Sequence, residues 1–172
     1  MSIKCVRLQI YDTATGQTIV MPRAYGKSLK ASDLPGGIAG FFPVHSEQTP
    51  RGLPKEQLLL VVEAVRKHVA IIREEFARLE IRMVGGSYLI IYESDLEHAQ
   101  KGIALLEEGE IEDEDEEEEE ETTKPGPPCL VKLIDFAHTR VAPGEGPDEG
   151  TLLGMDTVIK LLDGRITQIK QN

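Results

Sequence analysis

Asp135 and His138 are the residues of this sequence best placed to do chemistry. Asp135 follows Leu130 to Ile134, five residues with the pattern of a buried strand, and Phe136, Ala137 and His138 come directly after it. A carboxylate delivered at a strand's end is a hard oxygen ligand of the kind Mg²⁺ takes, one or two to an ion, with phosphate oxygens and water filling the remaining positions. A histidine there can donate or accept a hydrogen bond through its ring nitrogens. A plainer reading competes: Asp at a strand end often starts a turn by bonding its own backbone, and His138 is then an ordinary loop residue. Spacing alone leaves both open.

The elements that must position these side chains follow from hydrophobic periodicity. Residues 4–11 alternate, with Val6, Leu8 and Ile10 on one face. This predicts a half-buried strand, a turn over Asp12 to Gly16, and a return strand from Gln17 to Met21, hence a hairpin. Lys27, beside Gly26, is either a solvated lysine or a cation near a phosphorylated ligand. Ser32 or Asp33 can cap a short helix toward Phe42, against the helix-breaking tendency of Pro35, Gly36 and Gly37.

From Pro54 to Glu80 no Gly or Pro interrupts, and Leu58, Val62, Val65, Val69, Ile72, Phe76 and Leu79 recur at spacings of four and three. This is one apolar stripe on a helix about 40 Å long. It is better suited to a domain core than to a coiled-coil dimer, which needs more heptads. His68 falls among polar neighbours and reads as a surface residue.

Ile81 to Tyr92 predicts one strand, or two kinked at Gly85-Gly86. Ser94-Asp95-Leu96-Glu97 has the form of a capping box, opening a helix to about Leu106. Residues 140–150 read as a Gly/Pro-rich loop, Leu152 to Leu162 as a last helix ended by Gly164, and Ile166 to Ile169 as a short tail or strand.

The net charge of −11 belongs to one segment. Residues 107–121 hold 13 of the 30 acids, leaving 17 against 19 Lys and Arg elsewhere. Self-repulsion and the lack of apolar residues predict a disordered acidic insertion over 107–128, within one domain formed by 1–106 and 122–172. Its functional alternatives are a Ca²⁺ sponge, a phosphate mimic or a contact for a basic protein partner. The near-neutral remainder excludes non-specific nucleic-acid binding through a basic field. No apolar run reaches the ~20 residues that span a bilayer, and no leader opens the chain. Cys5 and Cys129 lie in strand-like runs without metal-ligand spacing and read as buried thiols. These features predict a monomer located in the cytoplasm, the nucleus or both.

Asp135-Phe136 after a strand resembles the Asp-Phe-Gly element of kinases, whose Asp holds Mg²⁺ on the ATP phosphates. The longer string Ile134-Asp135-Phe136-Ala137-His138-Thr139, with Gly146-Pro147-Asp148-Glu149 after it, resembles the C-terminal signature of the inositol polyphosphate kinase family, and of its multikinase members in particular. Val84-Gly85-Gly86-Ser87-Tyr88-Leu89-Ile90-Ile91-Tyr92-Glu93 resembles that family's Ser-Ser-Leu-Leu-x-x-Tyr-Glu strand. Val6 to Asp12 and Tyr25-Gly26-Lys27-Ser28-Leu29 resemble the segment entering its C-terminal lobe.

The resemblance implies an α+β fold: the C-terminal-lobe portion of an inositol polyphosphate kinase, distantly protein-kinase-like, without the N-terminal ATP lobe. It implies ATP-dependent phosphoryl transfer to an inositol polyphosphate hydroxyl, with ATP as co-substrate. Asp135 would be the Mg²⁺ ligand, and His138 would orient the accepting hydroxyl or bond a substrate phosphate. Two departures stand against it. Gly86 occupies the position of one of the paired serines, with Ser87 matching the other. The family's Pro-x-x-x-Asp-x-Lys-x-Gly motif is found nowhere in these 172 residues. The alternative is therefore an inactive module binding an inositol phosphate or a protein. Apolar surface is expected to stand uncovered where the other lobe would meet this one.

Overall fold

The computed structural model describes residues 9–12, 17–20, 23–47, 49–50, 52–108 and 126–171. Strands β1 (Gln9–Asp12) and β2 (Gln17–Val20) form the expected antiparallel hairpin, Gln9 opposite Val20. Helices α1 (Arg23–Ser28) and α2 (Leu34–Phe41) follow, then α3 (Lys55–Ala77), β3 (Ile81–Met83), β4 (Ser87–Tyr92), α4 (Leu96–Glu108), β5 (Cys129–Ile134), β6 (Thr139–Val141) and α5 (Glu149–Gln171). Helices and strands are mixed, and among the described residues the strands pair in twos: β1 with β2, β3 with β6, β4 with β5. The fold is α+β. Residues 4–8 of the first expected strand, Cys5 and most of the acidic stretch (109–125) lie outside the described residues, as does the side chain of Lys27.

The core is built on α3 and α5, two 23-residue helices. Ion pairs Glu63–Lys170, Arg66–Asp163 and Arg73–Asp156 join them in antiparallel register. Between them Leu58, Val61, Val62, Val65 and Val69 of α3 meet Leu162 and Ile169 of α5, all fully buried. The α3 stripe is thus a core stripe. Its last expected member, Leu79, lies beyond the helix and is exposed. The inner face of β4–β5 (Tyr88, Ile90 and Tyr92 across from Leu133, Val131 and Cys129) packs on this pair, because alternate strand residues share a face. Cys129 is a buried thiol pushed up to about 11 by burial. His68, expected at the surface, is half-buried with Nδ1 3.9 Å from the Cys129 sulfur.

One further expectation is met against its breakers, and four others are corrected. The helix toward Phe42 forms despite its glycines, since Pro35 sits in its first turn, where no amide is needed. Asp33 does not cap it: its carboxylate turns back to accept from the Lys30 amide at 2.9 Å and the Ser32 hydroxyl at 3.0 Å. At α4 the cap is Asp95 rather than Ser94, with Oδ1 accepting the His98 amide at 3.1 Å. Asp95→Ala should therefore cost about 1 kcal/mol in urea unfolding, and Ser94→Ala close to nothing; the reverse order would refute the assignment.

The stretch after His138 is not all loop, because 139–141 form β6 against β3. The last helix runs from 149 to 171 straight through Gly164, so no tail strand exists at Ile166 to Ile169. One helical glycine costs about 1 kcal/mol, less than what lies beyond it provides: Ile166 and Ile169 in the core with α3, and the Arg165 bonds to the Phe42 carbonyl.

Candidate active site

Residues 81–92 run antiparallel to 129–141 as one ribbon with a break in the middle. Below the break Met83 lies opposite Thr139; above it Ser87 lies opposite Ile134. Residues 84–86 therefore face 135–138, three against four, and the extra residue makes a bulge. Bulges re-aim side chains and are common beside active sites. The Val84 amide donates to the His138 carbonyl at 3.2 Å, tying the two sides of the break.

Asp135 begins the odd side with φ of 68°, the one non-glycine positive φ among the described residues. Asp tolerates the left-handed region better than most side chains. A single 3-10 turn, Phe136–His138, follows and returns the chain to β6. Gly85, at φ 80°, makes the opposing turn.

The structure thus brings Asp135, His138 and Ser87 to one ribbon break. Among the described residues none of these three side chains has a hydrogen-bond or ion-pair partner, whereas Asp95, Asp148, Asp156 and Asp163 are all engaged. Asp135 and His138 are exposed and Ser87 is half-buried. An unengaged, exposed carboxylate fits a Mg²⁺ ion that draws its remaining ligands from nucleotide phosphates and water. No cluster of three or more His, Cys, Asp or Glu able to hold an ion by itself occurs among the described residues.

A Cβ on Gly86 would run into the Met83 side chain, which would have to move for a serine to stand there. Met83 belongs to a small buried cluster with Phe76, Leu152 and Met155 beneath the site. Its backbone is fixed by Asp148, whose Oδ2 accepts the Met83 amide at 2.9 Å while Oδ1 caps α5 through the Thr151 amide at 3.0 Å. Burial pulls the Asp148 pKa up, but these amides, the Thr151 hydroxyl and the Arg82 charge outweigh it and hold it below the usual carboxylate range. The stability it contributes is present above the unfolded carboxylate pKa and is lost as pH falls through the lower folded value. Sequence reading picked out Asp148 as part of a motif, but not this staple between helix and site.

Two hydroxyls flanking the break, Tyr88 Oη and Thr139 Oγ1, are buried without a partner among the described residues. Burial pushes Tyr88 up to about 12, with the Arg73 charge opposing. Because its hydroxyl is desolvated for no hydrogen bond, Tyr88→Phe should raise stability by up to about 1 kcal/mol. A urea midpoint that falls would mean the hydroxyl is satisfied in solution.

The sequence profile of the family described as inositol polyphosphate kinase matches residues 1–163. The chain belongs to the inositol polyphosphate kinase family. Solved structures agree on the fold. The inositol phosphate multikinase of S. cerevisiae, solved with ADP and Mn²⁺, superposes with a TM-score of 0.59 at 21% identity, covering 90% of this chain and 53% of that one. A second inositol phosphate multikinase structure gives 0.55 at 15% identity, covering 93% and 60%. The chain therefore spans little more than half the length of these kinases. No curated protein matches it significantly.

The site of this inositol polyphosphate kinase family member is bordered by apolar surface. On the outer face of β4–β5, Leu89, Ile91 and Leu130 are exposed, and a shallow groove of about 230 Å³ lies between Ile71, Phe76, Leu79, Leu133 and Phe136. Among the described residues no helix is long and apolar enough to cross a membrane.

Proposed function

We propose that this chain supplies the metal-binding and acceptor-side groups for ATP-dependent phosphoryl transfer to a hydroxyl of an inositol polyphosphate. The observation that carries the proposal is the convergence of Asp135, His138 and Ser87, none with a partner among the described residues, on one bulged break of a ribbon in a member of this family. Mg·ATP, when bound, supplies the transferable phosphoryl group and a cation that neutralises its developing charge.

The chain's own part is positioning. Asp135 offers a carboxylate at a fixed backbone angle for the cation. His138, at the end of the 3-10 turn, orients the accepting hydroxyl or bonds a neighbouring phosphate, in either protonation state. Ser87 adds a hydroxyl on the opposing strand. The Asp148–Met83 staple fixes one side of the break to α5 and the Val84–His138 bond ties it to the other, which matters because misplacement by about 1 Å costs on the order of a hundredfold in rate.

The test is transfer of labelled phosphate from Mg·ATP to inositol trisphosphate by this chain, alongside the variant His138→Ala. Turnover reduced by His138→Ala supports the proposal. Turnover by a folded chain that is indifferent to His138 removes that residue from the site. A folded chain that transfers nothing and binds no Mn²⁺·ADP counts against the proposal as a whole.

A further inference from the structure

Just below the catalytic break the ribbon places Arg82 directly opposite Arg140. Direct cross-strand partners share a face, and like charges so placed repel unless an anion sits between them. The anion present is Glu145. Its carboxylate forks onto Arg140, Nη1–Oε1 and Nη2–Oε2 both at 3.2 Å, and reaches Arg82 only at 3.5 Å. Arg82 spends its other donors on the Ile81, Glu145 and Gly146 carbonyls at 2.7–2.9 Å, which holds the 142–147 loop against the ribbon.

That loop already binds an anion with its backbone. Between Gly144 at φ 78° and Gly146 at φ 67°, the amides of both glycines donate to the Glu80 carboxylate at 2.9 and 3.3 Å. Left-handed glycines let successive amides converge in this way. Glu145 rides on the same turn, about half exposed, and Arg140 is more exposed still. A planar carboxylate forks onto one guanidinium at a time, whereas a phosphomonoester has three oxygens and can engage two. Arg140 stands two residues beyond His138, at the middle of β6.

We propose that Arg140 and Arg82 form a phosphate subsite in which Glu145 is the resident, displaceable anion. A phosphomonoester of the ligand takes the place of the Glu145 carboxylate when the ligand's reacting end lies at His138 and Asp135. The ligand class rests on the function proposed above; the subsite itself rests on the arginine pair. Arg82, which holds the loop, and Arg140, whose fork meets the displaceable Glu145 carboxylate, have different roles.

The experiment is calorimetric titration of the full chain with inositol trisphosphate, and flotation with phosphatidylcholine vesicles with and without phosphatidylinositol bisphosphate. Glu145→Gln removes the competing anion and should tighten binding several-fold. Arg140→Gln should weaken it about tenfold or more, as expected for a lost charge-assisted contact. In the double variant the gain from Glu145→Gln should disappear. Arg140→Lys, which keeps the charge without the fork, should fall between. Binding of the soluble compound assigns a free inositol phosphate as the source; binding confined to vesicles assigns a lipid headgroup.

Glu145→Gln that leaves affinity unchanged or lowers it overturns the subsite, and so does the absence of binding by both wild type and Glu145→Gln. The two proposals fail separately. Phosphoryl transfer that is indifferent to Arg140 and Glu145 removes the subsite and keeps the kinase. Binding that follows Arg140 and Glu145, without transfer or Asp135-dependent cation binding, keeps the subsite and removes the kinase.

Discussion

Asp135→Asn is expected to reduce Mn²⁺-dependent ADP binding, and any phosphoryl transfer, by about a hundredfold or more, while leaving the thermal midpoint unchanged. The magnitude is that of losing one preorganised electrostatic contact at reacting phosphate. The choice of Asn follows from the backbone. Asp135 sits at φ 68°, a region that Asn and Asp tolerate and a side chain such as Ala does not. Asn therefore removes the charge and keeps the turn. Asp135→Ala should show the same functional loss plus about 1 kcal/mol of destabilisation, and Asp135→Gly the functional loss without that strain. Asp135 has no partner among the described residues, so no internal ion pair is broken in any of the three. An Asn variant that binds Mn²⁺·ADP as the wild type does would show Asp135 to be a turn residue and nothing more.

What the sequence revealed and what it hid divide along the range of the physical cause. The α3 stripe was legible because its periodicity is local, and Leu58, Val62, Val65 and Val69 are buried as their spacing requires. The kink at Gly85-Gly86 was legible for the same reason: glycine pairs interrupt strands. Asp135 and His138 were legible as a motif. The bulge that aims them was not, because it is a one-residue difference in register between segments some 50 positions apart in sequence. Strand β6 has three residues and no alternation to read; only its pairing with β3 defines it.

Helix α5 was cut short at Gly164 because local propensity was the sole guide. Packing on α3 overrides it: the Arg66–Asp163 and Glu63–Lys170 pairs flank the glycine and carry the helix onward. Asp95 takes the place of Ser94 as the cap of α4: both residue types cap well, and the His98 amide donates to the Asp95 carboxylate. In each case the deciding interaction comes from a segment far away in the chain or from geometry that composition does not encode.

Arg165 is the clearest instance, and Arg165→Met is expected to destabilise the fold by about 2–3 kcal/mol. In sequence it is one more charge in a helix, yet it is only 8% exposed. Its Nε and Nη2 donate to the Phe42 carbonyl at 3.1 and 2.7 Å, and Nη1 to Gln168 at 3.3 Å. Phe42 is fully buried and follows the last residue of α2, so its carbonyl is at the negative end of that helix. The Tyr92 hydroxyl closes the preceding carbonyl, Phe41, at 2.8 Å. Two side chains thus seal the end of a glycine-rich helix that has little propensity of its own.

Two effects compete on substitution. Burial lowers the Arg165 pKa, a sign that the charge itself is held at a cost, and Met relieves that cost. Met also leaves a buried carbonyl without a donor, which costs about 1–3 kcal/mol, and removes the favourable helix-end charge, worth up to about 2 kcal/mol in partly buried settings. The losses outweigh the relief because only one partner is removed. Arg165→Lys keeps the charge but not the fork and should lie between. Hydrogen exchange should quicken first over residues 34–42, before the α3–α5 core loosens. Combining the substitution with Tyr92→Phe should cost less than the two separately, because both fasten the same helix end. An Arg165→Met variant as stable as the wild type, with residues 34–42 equally protected, would show that aromatic packing of Phe41, Phe42 and Tyr92 holds α2 in place without the guanidinium.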